Sequence, residues 1–320
     1  TEVTSIARNM LMQKNTPAML TGLLAMTVTL LIWSGFFISL RASSQSDLTI
    51  ADIALIRFVP AALLFGWLCR HKARHIFQTP KRYLALICWG AGLPYLLLAG
   101  YGLHYVPVAD GASLIPGILP LLVSGIAVIC FREPLSPMRR TGLAFIALGV
   151  ACFVAKSLAG GQPGMLTGYA ILLLASFSWA WFTIAMRVSG LSATEGAAVI
   201  AISGCGLLLA GFLSQTMTFN LLSVDTQEVM YHFLVQGVGV GIVSSLCYTL
   251  AISRLGAEMS AALGAFTPVL AALMAIPLFS EPLTGQTMIA MALIVIGALT
   301  ASEVMPIPIN RSKTVKKAMR

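Results

Sequence analysis

Apolar residues in this chain recur in blocks about 20 residues long, separated by short polar gaps. A helix needs a block of that length to cross a hydrocarbon core about 30 Å thick. The blocks predict spans near 19 to 40, 50 to 69, 83 to 103, 108 to 131, 140 to 158, 165 to 187, 195 to 214, 230 to 252, 257 to 279 and 286 to 304. The first runs from about Met19 to Leu40. It is longer than a signal-peptide core and is followed by Arg41 and Ser43 rather than a small-residue cleavage site, so it reads as a span. The gaps leave no room for a soluble catalytic domain. The expectation is an all-α, polytopic membrane protein with ten transmembrane helices.

Composition agrees: 58% of the 320 residues are hydrophobic and only 10% are charged, against about 25% charged in an average soluble domain. A net charge of +9 would suggest nucleic acid in a soluble protein, but here the cations sit between apolar blocks and at the C-terminus. Lys and Arg favour the cytoplasmic face. With the N-terminus inside, that face takes Arg8, Lys14, the cluster from Arg70 to Arg82, Arg132, Arg139, Arg140, Arg187, Arg254 and the basic tail, 17 of the 20 cations. Arg41 and Lys156 fall outside, and Arg57 lies within a span. Both termini are then cytoplasmic, and the membrane is read as the cell inner membrane. The six cysteines are scattered through apolar blocks without a C-x-x-C pair and read as packing residues.

Sliding the chain by 148 residues aligns Phe131-Arg132-Glu133-Pro134-Leu135 with Phe279-Ser280-Glu281-Pro282-Leu283, Pro120 with Pro268 and Gly149 with Gly297. Residues 110 to 150 share ten identities with 258 to 298. Near the first span an offset of 146 aligns Trp33 with Trp179, Phe36 with Phe182 and Arg41 with Arg187. The expected organisation is a cytoplasmic segment 1–18, five-helix units 19–158 and 165–304, and a cytoplasmic tail 305–320. Five spans per unit is an odd number, so the second unit enters from the opposite face. This is the inverted repeat of secondary transporters, with substrate near the midplane. The charges agree, because the Glu133 turn is arginine-rich and the Glu281 turn carries no Lys or Arg from Ser280 to Gln286.

The stretch from Tyr105-Val106-Pro107 through Glu133-Pro134-Leu135 to Gly149, its echo from Leu255-Gly256-Ala257 to Gly297, and Arg57-Phe58 with Ala61-Ala62-Leu63 resemble the two EamA-type repeats of the drug/metabolite transporter superfamily. The likeness covers about residues 20 to 302. The layout is similar, more narrowly, to YddG-type amino-acid exporters. The resemblance implies a basket of helices around a central cavity, export from the cytoplasm, and substrates among amino acids, aromatic ones included. It also implies a structural partner for Arg57, Asp110 or backbone carbonyls, beside the reading of that cation as a substrate-carboxylate contact. Export of cationic drugs or other metabolites, and a channel-like pore, are the competing readings.

Candidate cavity residues are aromatic, since each offers an apolar face with a polar tip: Trp33, Tyr95, Tyr101, Trp179, Trp181 and Tyr248, with His104 near a span end. Pro94, Pro116, Pro120 and Pro268 remove backbone donors and are candidate bends, either lining the cavity or static. Arg57 is the one cation well inside a span. No Asp or Glu falls near mid-span, which points to transport driven by the substrate gradient. No H-E-x-x-H motif, aspartate pair or nucleophile elbow is present, so no enzyme, cofactor or metal is expected. The partners expected are a small-molecule substrate and the lipid bilayer, with no nucleic acid.

Overall fold

The structure is a computed structural model that describes residues 2–160, 162–255 and 257–303, in side-chain detail from residue 17 onward except at 252, 257, 258, 261 and 262. The basic tail and the side chain of Glu258 lie outside the described residues. Every regular element among the described residues is a helix. Eight helices are long and apolar enough to cross a membrane. They are α1, which spans from Pro17 to Ser43 and begins at Glu2, α2 (Ile50–Leu68), α3 (Lys81–Tyr105), α4 (Val108–Phe131), α5 (Pro137–Leu158), α6 (Met165–Ser189), α7 (Ala193–Leu213) and α8 (Thr226–Leu255). Two further apolar stretches differ from the expectation. The ninth is broken into Ala257–Gly264 and Thr267–Phe279, together α9, and the tenth, α10 (Gly285–Ala301), is 17 residues long.

The helix ends follow from local chemistry. Thr49 and Ser192 open α2 and α7 as full capping boxes with Asp52 and Glu195, so these two buried carboxylates satisfy free N–H groups at the helix N-terminus. Ser136 and Thr284 cap α5 and α10 in the same way, each accepting from the backbone N–H three residues on. Arg132 and Ser280 end α4 and α9 in the left-handed region, at φ 56° and 52°. That conformation costs a non-glycine residue about 1–2 kcal/mol. Both residues stand immediately before the paired glutamates, Glu133 and Glu281.

The interruptions within helices also fall on aligned positions. Helix α4 passes through a π-helical stretch, Ser113–Gly117, and restarts at Leu119-Pro120; α9 stops at Gly264 and restarts at Thr267-Pro268. Ile118 and Phe266, at the two restarts, have nearly the same backbone angles. Helix α3 breaks at Gly92 and restarts at Leu93-Pro94, and α8 carries a π-helical stretch, Phe233–Val243. Pro94, Pro120 and Pro268 therefore start helical segments, where a missing N–H costs nothing, while Pro116 lies inside the π-turn.

Packing between the halves comes in exchanged pairs. Helix α1 packs on α8 and α9, and α6 packs on α3 and α4. Helices α2 and α7 pack on each other, as do α5 and α10. The α5–α10 contact is set by glycine. A Cβ on Gly142 would lie 2.5 Å from the Gly297 carbonyl, and one on Gly149 would lie 2.8 Å from the Ala290 carbonyl. The 148-residue offset turns one of these contacts into the other. Backbone approach of this kind drives helix association where lipid removes the hydrophobic driving force.

Gly297→Val should therefore separate the pair and destabilise the protein by about 1–3 kcal/mol. Gly206→Ala, where an added Cβ meets nothing within 4 Å, should not lower stability. Thermal unfolding of the purified protein in detergent distinguishes the two.

Candidate functional site

The seam between the halves is aromatic. Trp33 on α1 lies 5.0 Å, ring centre to ring centre, from Tyr248 on α8, and Trp179 on α6 lies 4.8 Å from Tyr95 on α3. Each pair joins the first helix of one half to the third helix of the other, and Trp33 and Trp179 are aligned by the repeat. Phe36, one turn beyond Trp33, stacks on Tyr95 at 6.5 Å. Four of the expected aromatics are thus brought together in two cross-half pairs. Trp181 packs instead with Ile126, Ala180 and Ile184. Tyr101 is 57% exposed, and His104 is exposed against Tyr105; neither reaches this cluster.

Arg57 on α2 reaches the same cluster, its guanidinium 5.3 Å from the centre of the Phe36 ring and 5.7 Å from that of Phe58. Asp110 is not its partner. That carboxylate is fully buried and accepts hydrogen bonds from Lys156 Nζ at 3.0 Å, Tyr169 Oη at 2.6 Å and Thr287 Oγ1 at 3.3 Å. Lys156 also donates to Thr287 Oγ1 at 2.7 Å. The reason is placement: Asp110 stands in the first turn of α4 beside α10, whereas Arg57 lies two turns into α2 against α1 and α8.

Two ion pairs cross between the halves. Arg41, at the end of α1, donates from Nε to Glu281 Oε1 at 2.8 Å, and Arg187, at the end of α6, donates from Nη2 to Glu133 Oε1 at 2.9 Å. The repeat aligns the two arginines and the two glutamates, so each half supplies an arginine to the other's glutamate. The pairs stand at opposite ends of α4: Glu281 accepts from the Val108 N–H at its start, at 2.9 Å, and Glu133 follows its end. A helix of this length separates them by about 36 Å.

They differ in setting. Arg41 and Glu281 are 20% and 13% exposed, and Arg41 Nη1 also donates to the carbonyls of Leu103 and His104. Arg187 and Glu133 are 47% and 45% exposed and share one hydrogen bond. At the Arg187 end a cleft of about 310 Å³ opens between Phe65 of α2, Ala193 and Thr194 of α7, and the α8 face carrying Ser245, Thr249 and Ser253. At the Arg41 end a separate gap, lined by Asp110, Glu281 and Thr287, holds about 10 Å³.

Sequence reasoning does not single out the cross-half ion pairs, the Asp110 network or the hydroxyl face of α8 as site features. The repeat alignment carries the signal for the first, because it superposes both arginines and both glutamates. A serine–threonine–serine spacing of four marks the last. No group of three or more His, Cys, Asp or Glu able to hold a metal occurs among the described residues.

The profile of the EamA-like transporter family matches twice, over residues 20–155 and 166–302. No curated protein matches the chain. Among solved structures, one described only as "Crystal structure of protein" superposes with a TM-score of 0.59 over 90% of this chain and 96% of that chain, at 20% identity. At that identity the likeness speaks for the fold.

Removing the partner of a buried charge costs far more than removing that of an exposed one. Glu281→Gln should lower stability by about 3–5 kcal/mol, and Glu133→Gln by at most about 1 kcal/mol, as read by unfolding in detergent.

Proposed function

This chain belongs to the EamA-like transporter family, and from that premise we propose that it is a secondary transporter which exports small metabolites, amino acids including aromatic ones, by alternating access. The units are residues 19–158 and 165–304, each contributing five spans of opposite orientation, with the short α10 and the two-piece α9 counted as spans. Both termini lie in the cytoplasm, the membrane is the cell inner membrane, and the narrower likeness to YddG-type exporters supplies the substrate class.

The observation that carries the reading is the exchanged pair of ion bridges, Arg41 to Glu281 and Arg187 to Glu133. Two equivalent latches at opposite ends of one bundle are what alternating access needs, since a rocking motion that opens one end closes the other. Their unequal burial, with the 310 Å³ cleft on the side of the exposed bridge, supports a state closed at the Arg41 end and open toward the Arg187 end. On the Lys and Arg tally that open end is cytoplasmic, which suits an exporter waiting for substrate. The mid-helix interruptions of α3, α4, α8 and α9 fall where discontinuous helices form transporter sites.

Single cysteines beside Glu133 and Glu281 in a cysteine-free background should label from opposite sides of intact cells; labelling from one side overturns the inverted arrangement. In proteoliposomes, preloaded unlabelled amino acid should drive counterflow of a labelled one without a pH gradient. Uptake that strictly needs the gradient would replace substrate-driven exchange with proton coupling. Ohmic current in place of saturable, stereoselective flux would establish a pore.

A further inference from the structure

Five buried polar atoms among the described residues have no hydrogen-bond partner: Nη1 of Arg57, Oη of Tyr95, Oε1 of Gln236, Nε2 of His232 and Oγ of Ser260. The first three side chains contact Phe36, two at its ring and one at its backbone carbonyl. The Arg57 guanidinium lies over its ring at 5.3 Å, Tyr95 stacks on that ring at 6.5 Å, and Gln236 Nε2 donates to its carbonyl at 3.3 Å. Gln236 also donates to Ser39 Oγ at 3.1 Å. Both amide hydrogens are thereby engaged, which fixes the orientation of the amide and leaves the carbonyl oxygen as the free group. Helix α8 is held close to α2 here, since a Cβ on Gly237 would lie 2.8 Å from the Ile56 carbonyl. The π-helical stretch of α8 that carries Gln236 and Gly237 is a form frequent at functional sites.

Each group asks for a complementary one. A guanidinium N–H sealed from water and facing aromatic rings keeps its charge but not its hydrogen bond, because a ring face attracts the cation without accepting the N–H geometry of a carboxylate. A buried amide oxygen asks for a donor. The described residues place no carboxylate on Arg57.

We propose that Arg57 and Gln236 are the two poles of a zwitterion site, with Arg57 pairing the carboxylate of the substrate, the Gln236 carbonyl accepting from its ammonium, and Tyr95 lying between Phe36 and Trp179 against its side chain. The site rests on the transporter reading above and narrows its substrate class to free α-amino acids. A purely structural cation between Phe36 and Phe58 would hold the helices together but would not distinguish an acid from its amide.

The test uses the purified full chain in detergent. Binding of each of the 20 L-amino acids is measured by thermal shift, and the tightest is compared with its amide, its decarboxylated amine and its N-acetyl form. All three analogues should bind roughly 30-fold or more weakly, the loss that follows from unpairing a buried charge. Arg57→Gln should abolish the preference of acid over amide, and Gln236→Leu that of free over acetylated amine. The ligand series needs only the native protein, so it decides the matter even where a variant does not fold. An amine or amide that binds as well as its amino acid overturns the zwitterion site and leaves the transporter reading standing. Binding by none of the amino acids overturns the site and the amino-acid reading together.

Discussion

A charge in hydrocarbon must find a counter-charge or reach water, and this constraint arranges the polar groups of the molecule. With no solvent at membrane depth to accept a stray hydrogen bond, an unpaired group costs several kcal/mol. The carboxylates within the described residues obey it closely. Asp52 and Glu195 serve as helix caps, Asp110 is surrounded by Lys156, Tyr169 and Thr287, and Glu281 holds Arg41. Against that pattern five buried atoms lack a partner, and two of them, Nη1 of Arg57 and Oε1 of Gln236, belong to side chains that touch the same residue, Phe36, which is why they are read as groups awaiting a ligand and not as packing defects.

The same constraint gives the seam between the halves two kinds of contact. Glycines on α5 and α10 let backbone touch backbone, and such a contact has no intermediate geometry: the helices fit or they part. Ion bridges at the ends behave differently, since each can open when water replaces the partner. On the proposed alternating-access reading, the close α5–α10 contact with a bridge at each end would give rocking a fixed axis and two stops. The aromatic pairs, Trp33 with Tyr248 and Trp179 with Tyr95, sit between those stops and offer flat faces that can slide.

Much of this is legible in the sequence, because a membrane-spanning helix announces itself by block length and a duplicated half by alignment. The spans through α8 fall close to the expected limits. Helix α9 differs because block hydropathy does not register a two-residue break. Ala265 and Phe266 are as apolar as their neighbours, so the block reads as continuous although the helix stops at Gly264 and restarts at Thr267-Pro268. The proline positions are visible, but their part as the first residues of restarted segments depends on the turn before them. Aromatic side chains can be picked out by type and depth, yet helix rotation decides which face the seam. Tyr101 and Trp181 turn away from the cluster where Tyr95 and Trp179, six and two residues earlier, turn into it. That Asp110, one of the partners considered for Arg57, pairs elsewhere has the same cause: depth along a span is readable, the angle around it is not.

Two cations break the positive-inside pattern of the sequence. Among the Lys and Arg residues at span ends, only Arg41 and Lys156 fall outside, and both are held by carboxylates of low exposure, Glu281 and Asp110. Each of these cations is therefore neutralised in place by a carboxylate of the folded protein. On the proposed reading both pairs lie at the closed end, where they tie α1 to α9 and α5 to α4. Their equivalents at the other end are one exposed bridge and no buried lysine among the described residues. On the proposed orientation and export reading, the outer closure is the better bonded of the two among the described residues, which favours a protein open to the cytoplasm, the side from which an exporter loads.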